Sequence, residues 1–238
     1  ARRMGPECPV AYYAALLVGA IATPHNAWGT GNELEFGLAD SGAKVAIVDA
    51  ERWDRIEPHL PQCPALERVF LARVKGAVAH PVATPLADVI GPVNGWSDLP
   101  ERPLPAVPLD PEDDATIFYT SGTTGRQKGA LGTHRASVST VLASSFSAQR
   151  NFWRKGEPVP KPEDRKFQRA VLLAVPFFHT TGCQAILCAA VYAGTKIVCL
   201  RRWDVEQAMG LIERERCTQA GGVPTIAWQI IEHPERHR

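Results

Sequence analysis

The sequence lacks an excess of charge of either sign, because 26 Lys and Arg residues are matched by 25 Asp and Glu residues, leaving a net charge of +1. Proteins that bind nucleic acid or anionic membranes electrostatically carry a basic surplus, so neither partner is predicted. With 238 residues and 45% hydrophobic content, the chain has enough apolar material for one large domain or two small ones. This composition excludes a disordered or collagen-like chain.

Cysteine is sparse. The six cysteines lie at positions 8, 63, 183, 188, 199 and 217, and no two of them have C-x-x-C spacing. The absence of C-x-x-C spacing argues against a zinc or redox site, and six cysteines are too few for a disulfide-stapled secreted scaffold. We therefore expect reduced thiols and a cytoplasmic location.

Long hydrophobic runs are also lacking. The apolar run 10–21 is too short to cross a bilayer, so no transmembrane segment is expected. It follows Arg2 and Arg3 in the manner of a signal peptide, but it contains two tyrosines and its apolar residues recur with helical spacing. The spacing favours an amphipathic helix that packs on the core.

Strand and helix patterns alternate along the chain. Strands are predicted at 44–49, 68–72, 116–120, 130–133, 170–175, 196–200 and 218–221, and helices at 10–21, 30–40, 52–60, 135–149, 183–193, 204–215 and from 224 onward. This alternation predicts an α/β fold of layered, mainly parallel sheets flanked by helices.

Proline divides the chain. Eight prolines between positions 81 and 111 predict an irregular crossing segment at 73–112. We therefore expect a first α/β portion at 1–72 and a second at 113–238, while the charged stretch 150–169 is predicted to be a solvated surface loop.

Residues 119–129 read Tyr-Thr-Ser-Gly-Thr-Thr-Gly-Arg-Gln-Lys-Gly and follow a predicted strand. Glycines let backbone N–H groups approach an anion, hydroxyls donate to phosphate or ligate Mg²⁺, and a lysine adds a mobile positive charge. The pattern predicts a polyphosphate-binding loop, although composition alone leaves a Ser/Thr/Gly surface turn open. It is not a Walker A loop, because Lys128 precedes Gly129, and the G-x-S-x-G of a nucleophile elbow is absent.

This segment resembles the phosphate-binding signature Tyr-Thr-Ser-Gly-Thr-Thr-Gly-x-Pro-Lys-Gly of the adenylate-forming superfamily, which includes acyl-CoA synthetases, luciferases and the adenylation domains of peptide synthetases. It departs from that signature only at Gln127. Residues 175–182 are similar to the family's Pro-Leu-Phe-His segment, and residues 221–225 to the Gly-Val-Pro-Thr stretch of fatty acyl-CoA ligases. Segments 11–26 and 40–44 also look like theirs. The resemblance therefore implies part of the large N-terminal domain of such an enzyme.

The resemblance implies an acid–thiol ligase. A carboxylic acid and ATP would form an acyl-adenylate and pyrophosphate, and coenzyme A would then take the acyl group, with Mg²⁺ as cofactor. The residues implied to bind the phosphates are Thr120, Ser121, Gly122, Thr123, Thr124, Gly125, Lys128 and Gly129. Thr123 and Thr124 are also the implied Mg²⁺ ligands.

Two catalytic residues are implied, Lys128 beside the departing pyrophosphate and His179 between the nucleotide and the acyl pocket. Without the resemblance, a histidine after an apolar run is more typical of a satisfied core residue. The residues implied to wall the acyl pocket, besides His179, are Gly222, Val223, Pro224 and Thr225.

The family's later segments are not found among these residues: a Tyr-Gly-x-Thr-Glu stretch for magnesium, a Thr-Gly-Asp stretch for ribose, and a small C-terminal domain with a catalytic lysine. The first residue is Ala rather than Met. We therefore expect a central fragment of a ligase that is inactive in isolation. A non-catalytic nucleotide-binding or partner-binding remnant and an unrelated phosphate-binding hydrolase remain alternatives. Neither the acyl substrate nor the oligomeric state is predicted.

The departure at Gln127 generates a test. Proline at this position would fix φ at about −65° and reduce the conformational freedom of the unfolded chain. We expect Gln127→Pro to raise the free energy of unfolding by about 0.4–1 kcal/mol if the local φ is compatible. Thermal melting of both proteins measures the effect, and an unchanged or lower midpoint for the proline variant would contradict the expectation.

Overall fold

The computed structural model describes residues 5–74, 76, 78–120, 127–164, 166–200 and 202–236. The chain divides into two compact units, Ala1–His134 and Arg135–Arg238, and each is described by itself. Among the described residues, no helix combines the length and the apolar character needed to cross a membrane.

The first unit contains four α-helices and five strands within the described ranges. The helices are α1 (Glu7–Leu17), α2 (Gly31–Asp40), α3 (Ala50–Ile56) and α4 (Leu86–Ile90), with 3₁₀ turns at Glu57–Gln62 and Val93–Asp98. The strands are β1 (Val45–Asp49), β2 (Arg68–Ala72), β3 (Ala83–Pro85), β4 (Asp114–Thr120) and β5 (Lys128–Thr133). Strands β1, β2 and β3 form a parallel sheet in that order, whereas β4 and β5 are antiparallel.

The parallel sheet of the first unit is packed around its middle strand, β2. Val69 and Leu71 of β2 are buried, and Ile56 of α3 lies in the same core cluster. Arg52 is also buried, and its Nε donates to the carbonyl of Ala27 at 2.6 Å. A buried guanidinium requires such partners, so Arg52 holds the loop before α2 against α3.

A capping box begins α2, as the sequence predicts. The Thr30 hydroxyl accepts a hydrogen bond from the Glu33 N–H at 3.3 Å, and the Glu33 carboxylate accepts one from the Thr30 N–H at 2.7 Å. Two N–H groups that the helix leaves without intrahelical partners are thereby satisfied. The N-terminus of α2 is therefore determined by local sequence.

The predicted packing of the N-terminal helix is wrong. Helix α1 forms, but Val10 and Leu17 are exposed, and Tyr12 and Glu7 are the buried residues. The Glu7 carboxylate takes two hydrogen bonds from Arg73, at 2.6 and 2.9 Å. This ion pair and Tyr12 determine which face turns inward, so the apolar spacing alone misleads.

The proline-rich crossing segment is less irregular than predicted, because β3 lies within it and extends the sheet beyond β2. β3 is the edge strand of that sheet. Pro85 has no N–H to donate, and an edge strand tolerates this loss. Proline therefore did not exclude a strand here.

The second unit contains α5 (His134–Lys155), β6 (Ala170–Leu173), a π-helical segment (Thr181–Cys188) that continues into α6 (Ala189–Tyr192), β7 (Lys196–Cys199), α7 (Val205–Glu215), β8 (Gln219–Gly221) and α8 (Pro224–Ile231), with a 3₁₀ turn at Pro162–Asp164. Strands β7, β6 and β8 form a parallel sheet in that order. The predicted α/β class with mainly parallel sheets is therefore confirmed, and the β4–β5 pair is its antiparallel exception.

Helix α5 continues beyond the predicted end at 149 and stops before Gly156, which has a left-handed φ of +70°. The predicted surface loop therefore begins later, because residues 150–155 continue the helix. None of the α5 residues is buried. Its apolar residues Val138, Leu142 and Phe146 are exposed, although they recur with helical spacing.

The α2 cap can be tested by substitution. We expect Thr30→Ala to lower the free energy of unfolding by about 1 kcal/mol, because the Glu33 N–H loses its acceptor. Urea unfolding provides the measurement. Thr140→Ala is a matched control, since Thr140 is exposed within α5 and its hydroxyl only bonds the Ala136 carbonyl of the same helix. A Thr30→Ala chain as stable as the control would refute the cap's contribution.

Candidate functional site

The β4–β5 hairpin carries the described part of the predicted phosphate-binding motif. Thr120 and Lys128 form the last pair of the antiparallel ladder, and the Thr120 hydroxyl lies 3.4 Å from the Lys128 carbonyl. Both residues are exposed at the end of the hairpin. The remaining predicted residues, Ser121, Gly122, Thr123, Thr124 and Gly125, lie outside the described part of the chain.

Gly129, which is paired with Tyr119 across the hairpin, is required by the side chain of Ile117. A Cβ at position 129 would lie only 2.9 Å from Cγ2 of Ile117, whereas Cζ of Tyr119 would be at an ordinary contact distance of 3.4 Å. The glycine therefore leaves room for Ile117, and the Tyr119 ring lies beside it on the neighbouring strand.

The aromatic environment of Tyr119 was not predicted from the sequence. Its hydroxyl donates to Asp40 Oδ2 at 2.7 Å. Its ring stacks on His25 with centroids 5.3 Å apart and meets the Phe36 ring edge-on at 6.2 Å. The only sequence signal for this cluster was that segments 11–26 and 40–44 resembled the family without an assigned function.

Two groups of this cluster have displaced pKa values. Burial, and secondarily the hydrogen bond to Asp40, raises the pKa of the Tyr119 phenol far above its ordinary value. Burial lowers the pKa of His25 to about 3, because the charged imidazolium is disfavoured away from water. At neutral pH, Tyr119 is therefore protonated and donates a hydrogen bond, and His25 is uncharged.

His179 follows β6 on a short turn. Its N–H donates to the Pro176 carbonyl at 3.1 Å, and its Nδ1 accepts a hydrogen bond from the Thr181 N–H at 3.1 Å. A neutral ring that accepts at Nδ1 carries its proton on Nε2. The side chain is exposed, so the structure does not place it as a core histidine.

Gly182, three residues after His179, lies close to the backbone carbonyls of Val175 and Pro176. A Cβ on Gly182 would overlap the carbonyl oxygen of Pro176 and lie 2.9 Å from that of Val175. The residue is buried within the π-helical segment, a conformation found frequently at functional sites. The turn that carries His179 therefore depends on glycine at position 182.

The predicted acyl-pocket residues span the junction between β8 and the first residues of α8. Val223 is the N-cap residue of α8 and Pro224 is at its first position, as the sequence predicts. Gly222, Val223, Pro224 and Thr225 are all exposed.

This segment and the His179 turn follow neighbouring strands, because β6 and β8 are paired in parallel with Leu173 opposite Gly221. The carboxyl ends of parallel strands lie at one edge of a sheet, where α/β proteins bind ligands. A Cβ on Gly221 would lie 2.7 Å from Cδ1 of Ile186 in the π-helical segment. The topology therefore brings His179 and residues 222–225 to the same edge of the second unit's sheet.

The described residues contain no group of three or more His, Cys, Asp or Glu side chains that could hold a metal ion. The implied Mg²⁺ ligands, Thr123 and Thr124, lie outside these residues. The described side chains therefore do not by themselves provide the oxygen-rich cage in which proteins hold resident divalent cations.

Substituting two helical glycines tests the close packing of the His179 turn. We expect Gly182→Ala to lower the free energy of unfolding by about 1–3 kcal/mol, because the new methyl group collides with backbone carbonyls. Gly210→Ala is the matched control, since nothing lies within 4 Å of a Cβ at that position of α7. The control is expected to gain about 0.5–1 kcal/mol in stability. Urea unfolding measures the free energy of unfolding of both variants. A gain in stability for both would refute the steric requirement for glycine at position 182.

Comparison with known proteins extends these observations. The family model described as AMP-binding enzyme matches residues 2–238. The chain is 31% identical over 97% of its length to 4-coumarate–CoA ligase 1 of Oryza sativa subsp. japonica. It is 30% identical over 94% of its length to the long-chain-fatty-acid–CoA ligase FadD13 of Mycobacterium tuberculosis. In both alignments the chain spans 38% of the relative's own length.

Solved structures of similar fold agree with this match. The N-terminal domain of FACL13 from Mycobacterium tuberculosis aligns over 100% of this chain and 52% of its own, with a TM-score of 0.73 and 24% identity. A protein described as a long-chain-fatty-acid CoA ligase from Rhodopseudomonas palustris aligns over 99% of this chain and 52% of its own, with a TM-score of 0.75 and 21% identity. At these identities the likeness shows the fold. Because the family model covers nearly all of the sequence, the unrelated hydrolase is excluded, and the chain belongs to the AMP-binding enzyme family of adenylate-forming proteins.

Proposed function

We propose that this protein activates a carboxylic acid with ATP and transfers the acyl group to coenzyme A. The observation that carries the proposal is the motif at 119–129, with Thr120 and Lys128 paired at the exposed end of the hairpin. Family membership supports it, as do relatives named as 4-coumarate–CoA and long-chain-fatty-acid–CoA ligases. The acid is proposed to have an apolar body, by analogy with those names.

The proposed chemistry has two steps. A carboxylate oxygen attacks the α-phosphorus of ATP, the bond to the bridging oxygen of the β-phosphate breaks, and pyrophosphate leaves. The sulfur of coenzyme A then attacks the acyl carbonyl, and AMP leaves as the thiol loses its proton. Reactions of this kind need positioned donors and positive charge more than covalent participation by the protein.

Lys128 is proposed to stabilise the departing pyrophosphate. Its ammonium group is a compact charge on a flexible stem that can follow the outer phosphates as the bond breaks. Thr120, Ser121, Gly122, Thr123, Thr124, Gly125 and Gly129 are proposed to supply hydroxyls, backbone N–H groups and room around the phosphates. Mg²⁺ would accompany ATP and neutralise part of its charge, with Thr123 and Thr124 as proposed contacts.

The acyl pocket is proposed to lie at the carboxyl edge of the β7–β6–β8 sheet. His179 would present Nε2–H there as a hydrogen-bond donor, since Nδ1 accepts from the Thr181 N–H. Residues 222–225 follow the neighbouring strand and are proposed to wall the pocket. A reducing, cytoplasmic location is proposed from the sparse cysteines, no two of which have C-x-x-C spacing.

Nucleotide binding tests the proposed role of Lys128. We expect the 238-residue chain to bind MgATP saturably, with pyrophosphate as a competitor. Lys128→Ala should raise the Kd for ATP about tenfold, because a hydrogen bond to a charged group is worth about 1.5–3 kcal/mol. Lys155→Ala is the matched control, since Lys155 is exposed at the end of α5. Equal losses in both variants would show general charge attraction, and no loss in either would remove Lys128 from the site.

A second assay separates catalysis from binding alone. The protein is incubated with ATP, labelled pyrophosphate and a panel that includes 4-coumarate and long-chain fatty acids, and coenzyme A is then added. Exchange of label into ATP that depends on an acid, followed by an acyl-CoA detected by mass, supports the ligase and contradicts the expectation that the chain is inactive in isolation. Saturable ATP binding by the 238-residue chain without acid-dependent exchange agrees with that expectation and with the non-catalytic remnant.

A further inference from the structure

The last residue of α2 is an aspartate, where a helix favours positive charge. The carbonyl dipoles of the final turn give it a partial negative charge, so a carboxylate at this end is unfavourable. Asp40 cannot satisfy those carbonyls, because an ionised carboxylate only accepts hydrogen bonds; the Ser41 hydroxyl donates to the Gly37 carbonyl at 2.6 Å and lies 3.3 Å from that of Leu38. The position of Asp40 therefore points to a contact outside its own helix.

That contact is the Tyr119 hydroxyl, which donates to Asp40 Oδ2 at 2.7 Å. The bond joins the end of α2 to β4 through two residues that are 79 positions apart along the chain. Hydrogen bonds from a neutral donor to a carboxylate are shorter and stronger than those between neutral groups. The raised pKa of Tyr119 keeps its hydroxyl a donor throughout the neutral range.

The Tyr119 ring is held on its apolar surfaces as well. His25 stacks on it, and His25 in turn packs so closely against α2 that a Cβ on Gly37 would overlap its imidazole ring. Phe36 of the same helix meets the Tyr119 ring edge-on. The ring is thereby held by Phe36 and Asp40 of α2 and by His25, which packs against the same helix.

Tyr119 is directly adjacent to the proposed phosphate contacts. Tyr119 pairs with Gly129, and the next pair toward the end of the hairpin is Thr120 with Lys128. The ring lies across Gly129, so both strands of the hairpin contact it. Fixing the ring therefore fixes the backbone from which Thr120 and Lys128 project.

We propose that Asp40 and Tyr119 are positioning residues for the outer phosphates of ATP. Asp40 holds the Tyr119 hydroxyl, and Tyr119 orients the hairpin end so that Thr120 and Lys128 face the phosphates together. The proposal rests on the proposed function, because it takes Lys128 to be a phosphate contact. It adds a role for the end of α2, which the family motif does not include.

The experiment compares ligands that differ in their outer phosphates. The 238-residue chain is titrated with MgATP, pyrophosphate and AMP as wild type, Tyr119→Phe, Asp40→Ala and the double variant. Each single change should raise the Kd for ATP and pyrophosphate about fivefold and leave the Kd for AMP unchanged. The double variant should lose no more than either single variant, because both changes remove one interaction. Tyr192→Phe and Asp54→Ala, at exposed positions, are matched controls expected to leave all three affinities unchanged.

The outcomes distinguish this inference from the proposed function. Wild-type protein that binds neither ATP nor pyrophosphate would refute phosphate binding itself, and the positioning role with it. Wild-type protein that binds both, with Tyr119→Phe binding pyrophosphate equally well, would overturn the positioning role alone. An equal loss of affinity for AMP, or additive losses of affinity in the double variant, would also overturn the positioning role. Either result would indicate general damage to the protein rather than loss of alignment at the outer phosphates. Circular dichroism confirms that each variant is folded during the titration. If Asp40→Ala does not fold, Tyr119→Phe still tests the hydrogen bond, because it removes the hydroxyl and keeps the ring.

Discussion

The antiparallel register of β4 and β5 is the constraint on which the proposed nucleotide site depends. It places Thr120 opposite Lys128 and Tyr119 opposite Gly129. A slip of one residue would turn every side chain of a strand to the other face, so Lys128 and the Tyr119 ring would no longer keep their present relation. Gly129 helps to specify the register, because a side chain there would meet Ile117 and Tyr119. The hairpin thus converts a local sequence motif into a defined arrangement of a hydroxyl and an ammonium group.

The second unit reaches its arrangement by a different rule. Parallel pairing of β6 with β8 brings the segments that follow these strands to one edge of the sheet, although His179 and residues 222–225 are far apart in sequence. Gly182 then allows the π-helical segment to begin against the carbonyl of Pro176. Topology brings the two segments to the same edge, and a missing side chain determines how closely the backbone can approach. Neither feature requires a charged group in the second unit.

Features governed by local chemistry could be predicted from the sequence, and features governed by distant contacts could not. The Thr30 cap and the buried strand predicted at 170–175 follow from short-range preferences; the cap forms, and the strand forms at Ala170–Leu173. The inward face of α1 was predicted wrongly, because it is determined by an ion pair with Arg73, which is distant in sequence. The motif at 119–129 could be recognised from its hydroxyls and glycines, but the partnership of Tyr119 with Asp40 leaves no periodic signal.

The aromatic cluster of His25, Phe36 and Tyr119 also limits the charges that lie beside the proposed phosphate site. Desolvation keeps His25 neutral, with a pKa of about 3, and keeps Tyr119 protonated. Neither ring therefore changes its charge across the neutral range, where an ordinary histidine would titrate. An imidazole that titrated beside Tyr119 would make the electrostatic field at the hairpin depend on pH. Burial of His25 removes that dependence, so the Tyr119 hydroxyl donates to Asp40 next to the same uncharged ring throughout the neutral range.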